Sequence, residues 1–236
     1  MTKKATNQTS TGRLIRRRDV GGGLVLHELD PGLDAARTYE RPGQYFSVGL
    51  GGKSTYFVLA GEPGLPTWEA LVRPVGDVAD ALLALPPEGA VRVSSALGLG
   101  FPLEQAESRR LFVLAAGSGV AAIRPVLTSR VRAGLAARTE VFLGVRSKAE
   151  LPLADEIAVR RAQGVTVTVC FSREAADEEG TASGYVQAVF LQRRGGDGTA
   201  QEGAMVFAAG GSEMVAEVRK VASELGLPEA DVHTNY

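Results

Sequence analysis

The residues with the plainest chemical potential lie in Leu111–Pro125, which reads LFVLAAGSGVAAIRP. Gly117, Ser118 and Gly119 follow an apolar run and precede a helical pattern that starts near Val120. Glycines at such a turn let the backbone bend sharply and let a ligand approach the main chain. The start of the helix directs unpaired N–H groups and the positive end of its dipole at the same space, which suits a phosphate. Glycines also end strands for structural reasons alone, so the residues beside the loop carry the argument. The next apolar segment, Thr139–Gly144 (TEVFLG), leads into Val145, Arg146 and Ser147. An NAD-type fold places a carboxylate at that point to accept from the ribose hydroxyls. Its absence also counts against a methyltransferase-like domain. A third segment, Val165–Phe171 (VTVTVCF), ends in Ser172-Arg173-Glu174. A hydroxyl beside a planar guanidinium suits a dianionic phosphate, and the pattern fits NADP better than NAD.

The elements that must hold these groups fall into two styles. From Gly23 to Ser94, short alternating stretches are bounded by Gly and Pro: Gly23–Glu28, Gly43–Leu50, Thr55–Gly61, Trp68–Val75 and Gly89–Ser94. They predict antiparallel strands, with Trp68, Ala70 and Val72 on one face and Glu69 and Arg73 on the other. A small closed barrel is the expected arrangement, with one helix over Asp77–Leu85. After the charged stretch Glu104–Arg110, strands alternate with helices over Ala121–Ala136, Pro152–Arg161, Tyr185–Arg193 and Glu213–Leu225. That alternation predicts a parallel sheet. The fold class is therefore β barrel plus α/β. The expected divisions are a disordered tail at 1–12, the barrel at 13–105 and the parallel-sheet domain at 106–236.

With 236 residues and 44% hydrophobic content, the chain can bury one large core or two small ones. A formal charge of −1 gives no support to nucleic acid or an anionic membrane as the main partner. No apolar run approaches the roughly 18 residues that span a bilayer. The polar stretch Met1–Gly12 lacks the apolar core of a secretory signal. The expected location is the cytoplasm, or the plastid stroma in a plant or alga. One cysteine, Cys170, excludes an iron–sulfur cluster carried by this chain. It is expected to pack as a small apolar residue, with a redox role as the alternative.

Several segments in register resemble the ferredoxin–NADP reductase superfamily. LAAGSGVAAIRPVL resembles its glycine loop, VFLGVRSKAELPLADEI its second strand and helix, and VCFSRE its phosphate-binding strand end. GYVQ (Gly184–Gln187) and VFAAGGSEMVAEVRKVASELGLPEADVHTNY continue in order. The first half, with KSTYFVLAGEP, is similar to a plant plastid branch of FAD/NAD(P)-binding oxidoreductase-like proteins.

The resemblance implies FAD along the barrel and NADP on the sheet, with NAD as the alternative. The family's Arg-x-Tyr-Ser strand falls on Thr55, Tyr56, Phe57 and Val58, so the Arg and the hydroxyl are lost while Phe57 keeps an aromatic surface. Lys53 stands two residues upstream as a substitute cation. The family's second flavin site falls on Gly76, Asp77, Val78 and Ala79, where backbone N–H groups remain. Tyr236, last in this sequence, matches an aromatic that covers the flavin and moves aside for nicotinamide; an ordinary frayed terminus is the alternative. Tyr185 and Gln187 match adenosine contacts or interface packing, and Gly210 matches a close approach beside Ala209, where the family has Cys. His233 is expected near the same cleft or in the core, and His27 in a barrel strand. The implied function is hydride transfer between NAD(P)H and FAD, with electrons exchanged with an unidentified acceptor or donor, such as a redox protein. The competing reading is a non-catalytic nucleotide-binding or subunit-docking module on the same fold.

Overall fold

A computed structural model describes residues 8–195 and 202–235. The first sheet has six antiparallel strands: β1 (Thr9–Asp19), β2 (Val25–Asp30), β3 (Tyr45–Leu50), β4 (Lys53–Val58), β5 (Trp68–Val72) and β6 (Ala90–Ser94), in the order β4-β3-β6-β1-β2-β5. A short α1 (Leu33–Ala36) and the longer α2 (Asp77–Ala84) complete this lobe. The edges nearly meet. A bridge joins Leu59 to Ala70, and the Ala60 N–H donates to the Glu69 carbonyl at 2.8 Å. The barrel is thus almost closed.

The tail expected through Gly12 is corrected over residues 9–12; residues 1–7 lie outside the described ones. Thr9–Arg13 pair with β6, and a register shift between Leu14 and Arg16 carries the strand along β2. TSTGRLIRRRD lacks an apolar face because pairing satisfies its backbone, and Leu14 is the one side chain of the strand in the barrel core. Trp68, Ala70 and Val72 do share the inner face, and Trp68 meets Phe46 edge to face at 5.0 Å. Leu71, on the other side of β5, is buried as well, because that side packs on the second lobe.

The second sheet is wholly parallel, in the order β10-β9-β8-β7-β11-β12. Its strands are β7 (Leu111–Ala116), β8 (Thr139–Val145), β9 (Thr166–Phe171), β10 (Thr181–Ser183), β11 (Met205–Ala209) and β12 (Val232–Thr234). The helices are α3 (Val120–Arg132), α4 (Ala154–Ala162), α5 (Val186–Arg194) and α6 (Ser212–Glu224). α3 covers one face of β7 through Ile123 and Val126, while Phe190 and Val218 of α5 and α6 cover the other. This explains why β7 is apolar at consecutive positions. Strand order reverses at β7, between β8 and β11. In open α/β sheets that point is where ligands bind, beyond the strands' carboxyl ends.

The lobes share a core. Leu24, Leu26, Leu71 and Phe101 of the barrel side join Val113, Val126 and Phe207 of the sheet side. Phe101 stacks on Phe207 at 4.7 Å. A polar clasp lies beside them: Arg124 of α3 donates to Glu69 of β5 and the Ala60 carbonyl at 2.8 and 2.9 Å. The same guanidinium donates to Glu156 of α4 at 2.8 and 2.9 Å.

Candidate active site

Gly117 has φ +56° and open space where a side chain would start, so conformation is what requires glycine there. A single 3₁₀ turn over Gly117–Gly119 feeds α3 at Val120, and Ser118 stands exposed on it. Gly119 serves packing rather than a ligand: a Cβ there would lie 2.2 Å from the Ala209 carbonyl oxygen. At Gly210 a Cβ would meet only the flexible Met214 sulfur, at 2.9 Å, so packing constrains that position less.

Beyond the strand ends, β8 and β9 stay tied through Ser172 N–H to Val145 O (3.0 Å) and Arg173 N–H to Arg146 O (2.9 Å). The two strand-end segments therefore stand side by side. A cleft of about 650 Å³ opens here, walled by Gly117, Ser118, Arg146, Ser172, Tyr185 and Gln187. The structure thus brings together six residues singled out in the sequence. Arg173 is exposed beside it, with no side-chain partner among the described residues. The Gln187 side-chain oxygen is buried in the wall without a hydrogen-bond partner, an acceptor that a bound group would satisfy. Cys170 lies beneath the cleft, fully buried, and desolvation pushes its thiol up to about 12. Burial and that raised pKa fit the expected packing as a small apolar residue.

Four wall residues carried no signal in the sequence. Glu150, Glu213 and Glu217 bring negative charge into the cleft, and Arg73 enters it from the barrel. Arg73 had been placed only on an outer strand face. Its arrival depends on how the lobes pack, which no local pattern records.

The barrel's expected cofactor residues form a second group. Lys53 forms an ion pair with Asp77, so the substitute cation and the α2 N-terminus do meet. Gly76 caps α2 at φ +95°, with no side chain bonded to the first-turn N–H groups. Val78 and Ala79 turn their side chains into the core, leaving only backbone donors. Thr55 is half-buried and Val58 packs against the core between the lobes. Phe57 departs from expectation: alternation along β4 turns its ring toward the barrel core, opposite Phe46. The strand's exposed ring is Tyr56, 63% accessible, edge to face with Tyr45 at 5.7 Å.

Tyr236 lies outside the described residues. Asn235 before it is buried, and its Cβ would stand 3.1 Å from a Cβ placed on Gly43. Its carbonyl approaches Gly98, whose own Cβ would strike the Tyr45 ring at 2.8 Å. Asn235 thus lies beside the Gly98 turn next to Tyr45. His233 packs edge to face on Phe207 at 5.8 Å, and burial lowers its pKa. His27 is inside the barrel with its pKa lowered by burial, and Val25 O accepts from its Nδ1 at 3.2 Å.

Comparison with known proteins bears on this layout. Residues 113–220 match the family described as the oxidoreductase NAD-binding domain. Ferredoxin–NADP reductase B of Sorangium cellulosum is 30% identical over 188 residues, covering 77% of this chain and 76% of the relative. The chain belongs to the ferredoxin–NADP reductase family. It is an FAD-dependent NAD(P)H oxidoreductase. Two solved structures share the reductase fold across nearly the whole chain. An Amycolatopsis cytochrome P450 reductase, GcoB, matches with a TM-score of 0.82 at 17% identity, over 98% of this chain and 70% of its own. A Neisseria gonorrhoeae ferredoxin NADP+ reductase with bound FAD and NADP matches at 0.77 and 16% identity, over 97% and 98%. Among the described residues, no helix is long and apolar enough to cross a membrane.

Proposed function

We propose that this reductase passes a hydride between NADP(H), in preference to NAD(H), and FAD, and that a separate redox protein exchanges electrons with the flavin. Residues to 105 hold the flavin in this reading, and 106–236 the dinucleotide. The carrying observation is the cleft at the strand-order reversal, where Ser118, Arg146 and Ser172 converge with Arg173 beside them. The orphaned Gln187 oxygen and the open space at Gly117 suit a bound nucleotide. The uncapped α2 N-terminus, Lys53 and Tyr56 suit the diphosphate and ring of FAD. The two cofactors supply hydride chemistry when bound, and the chain supplies position.

Arg146, Ser172 and Arg173 bind phosphate, Tyr185 and Gln187 hold the adenosine end, and Arg73 reaches the dinucleotide from the barrel. Tyr56 frames the flavin, and Tyr236, following Asn235, covers it and excludes water until nicotinamide enters. Neither Val58 nor Ala209 bears a proton to donate, so orientation and exclusion of water are this chain's contribution. KSTYFVLAGEP supports membership of the plastid branch.

Purified protein tests the reading. Yellow protein with flavin absorbance that oxidises NADPH faster than NADH with an artificial acceptor is the expected result. Colourless protein that ignores added FAD would overturn it in favour of a nucleotide-binding module.

A further inference from the structure

Of the three carboxylates in the cleft wall, Glu150 is the one hydrogen-bonded to a cleft arginine. Glu150 sits four residues after Arg146, and one of its oxygens, Oε2, takes both Nε and Nη2 of that guanidinium at 2.8 and 2.7 Å. Both residues line the cleft with Ser172. These two N–H groups are the fork with which an arginine would grip a phosphate. Glu150 therefore fills the place on Arg146 that an anion would take.

Its position is not free to drift. The Lys148–Glu150 turn packs against the barrel's glycine loop: a Cβ on Gly22 would lie 2.5 Å from the Glu150 carbonyl oxygen and 2.9 Å from Pro152 N. Three residues on, the Leu153 N–H donates to Val20 O at 2.7 Å. The barrel thus fixes the backbone from which the carboxylate reaches Arg146. The neighbouring Arg173 has no such occupant.

We infer that Glu150 is a specificity-determining residue that competes with the nucleotide's 2′-phosphate for Arg146. A phosphorylated nucleotide must displace the carboxylate and then remain near its negative charge, while an unphosphorylated one meets neither cost. Glu150 therefore narrows the preference for NADP(H) over NAD(H) that Arg146, Ser172 and Arg173 would otherwise set. The inference rests on the proposed reading of this wall as the phosphate subsite.

Calorimetric titration with 2′,5′-ADP and 5′-AMP tests it without relying on flavin or turnover. Glu150→Gln should raise the ratio of 2′,5′-ADP to AMP affinity by about three- to tenfold, the scale of a partly exposed charge interaction. The gain should shrink with added salt and vanish in an Arg146→Ala background. If Arg146→Ala lowers the ratio but Glu150→Gln leaves it unchanged or lower, the inference fails and the phosphate reading stands. If neither Arg146→Ala nor Arg173→Ala moves the ratio, the phosphate is not read at this wall, and both fall.

Discussion

Arg173 differs from the other cations of the cleft region in having no partner for its side chain among the described residues, so its full charge is available to a phosphate. Arg173→Ala should raise the KM for NADPH about tenfold, near 1.5 kcal/mol for one charge-assisted hydrogen bond, with little change for NADH. Equal effects on both nucleotides would remove the phosphate assignment. Cys170 makes the opposite case, a group that burial silences. With its thiol pushed up to about 12 and no exposed surface, a disulfide reagent should titrate no thiol in native protein and one after denaturation. His27 shows how burial sets a pH dependence. Burial holds its folded pKa below the ordinary imidazole value of about 6.5, so the unfolded chain binds the proton more readily. Its stability contribution is complete above about pH 6.5 and declines as pH falls through the folded pKa. Melting temperature should fall on acidification in that window, and His27→Leu should flatten the slope there.

At the scale of elements, the turn between β7 and α3 shows why the sequence pattern read well but its glycines were assigned too uniformly. Gly117 is glycine for its φ, whereas Gly119 is glycine because β11 passes beneath it. Gly119→Ala places a methyl carbon 2.2 Å from a backbone oxygen, and should cost about 1–3 kcal/mol in denaturant unfolding. An unchanged midpoint would contradict this packing. Strands with alternating or continuous apolar residues, β3, β5, β7, β8 and β9, were visible because side-chain burial forces that pattern. β1 was missed along its whole length, since a strand held by backbone pairing can carry mostly polar side chains. β4 shows another limit. Thr55–Val58 were legible as a strand, but which ring faced outward was settled by register against β3, and the outward ring is Tyr56 where Phe57 was expected.

At the scale of the whole molecule, the clasp at Arg124 joins three elements from two lobes. Burial disfavours its charge, yet the carboxylates of Glu156 and Glu69 more than compensate and hold its pKa above the usual value. Burial likewise opposes ionisation of Glu156, but the Arg124 hydrogen bond and charge win and lower its pKa below 4.5. Removing Arg124 leaves Glu69 half-buried without its cation and Glu156 with only the longer pairing to Arg18 at 3.3 Å. Arg124→Ala should cost about 3–5 kcal/mol, seen as an early unfolding transition by calorimetry. Because the folded pKa of Glu156 is depressed, its contribution is complete above about pH 4.5 and is lost as pH falls through the folded value. The arginine variant should weaken that acid dependence, with Arg18 retaining a smaller share of it.

The residue order by itself determined the two-lobe architecture, the parallel sheet and the strand-end residues of the cleft, because burial periodicity and glycine placement are local constraints written at fixed spacing. Only the tertiary structure decided that Arg73 crosses from the barrel, that Glu150 sits on Arg146 and that Arg124 clasps Glu69. Each of these depends on distances between segments far apart in the chain. Such distances arise from the packing of one lobe on the other, to which no single stretch of sequence corresponds.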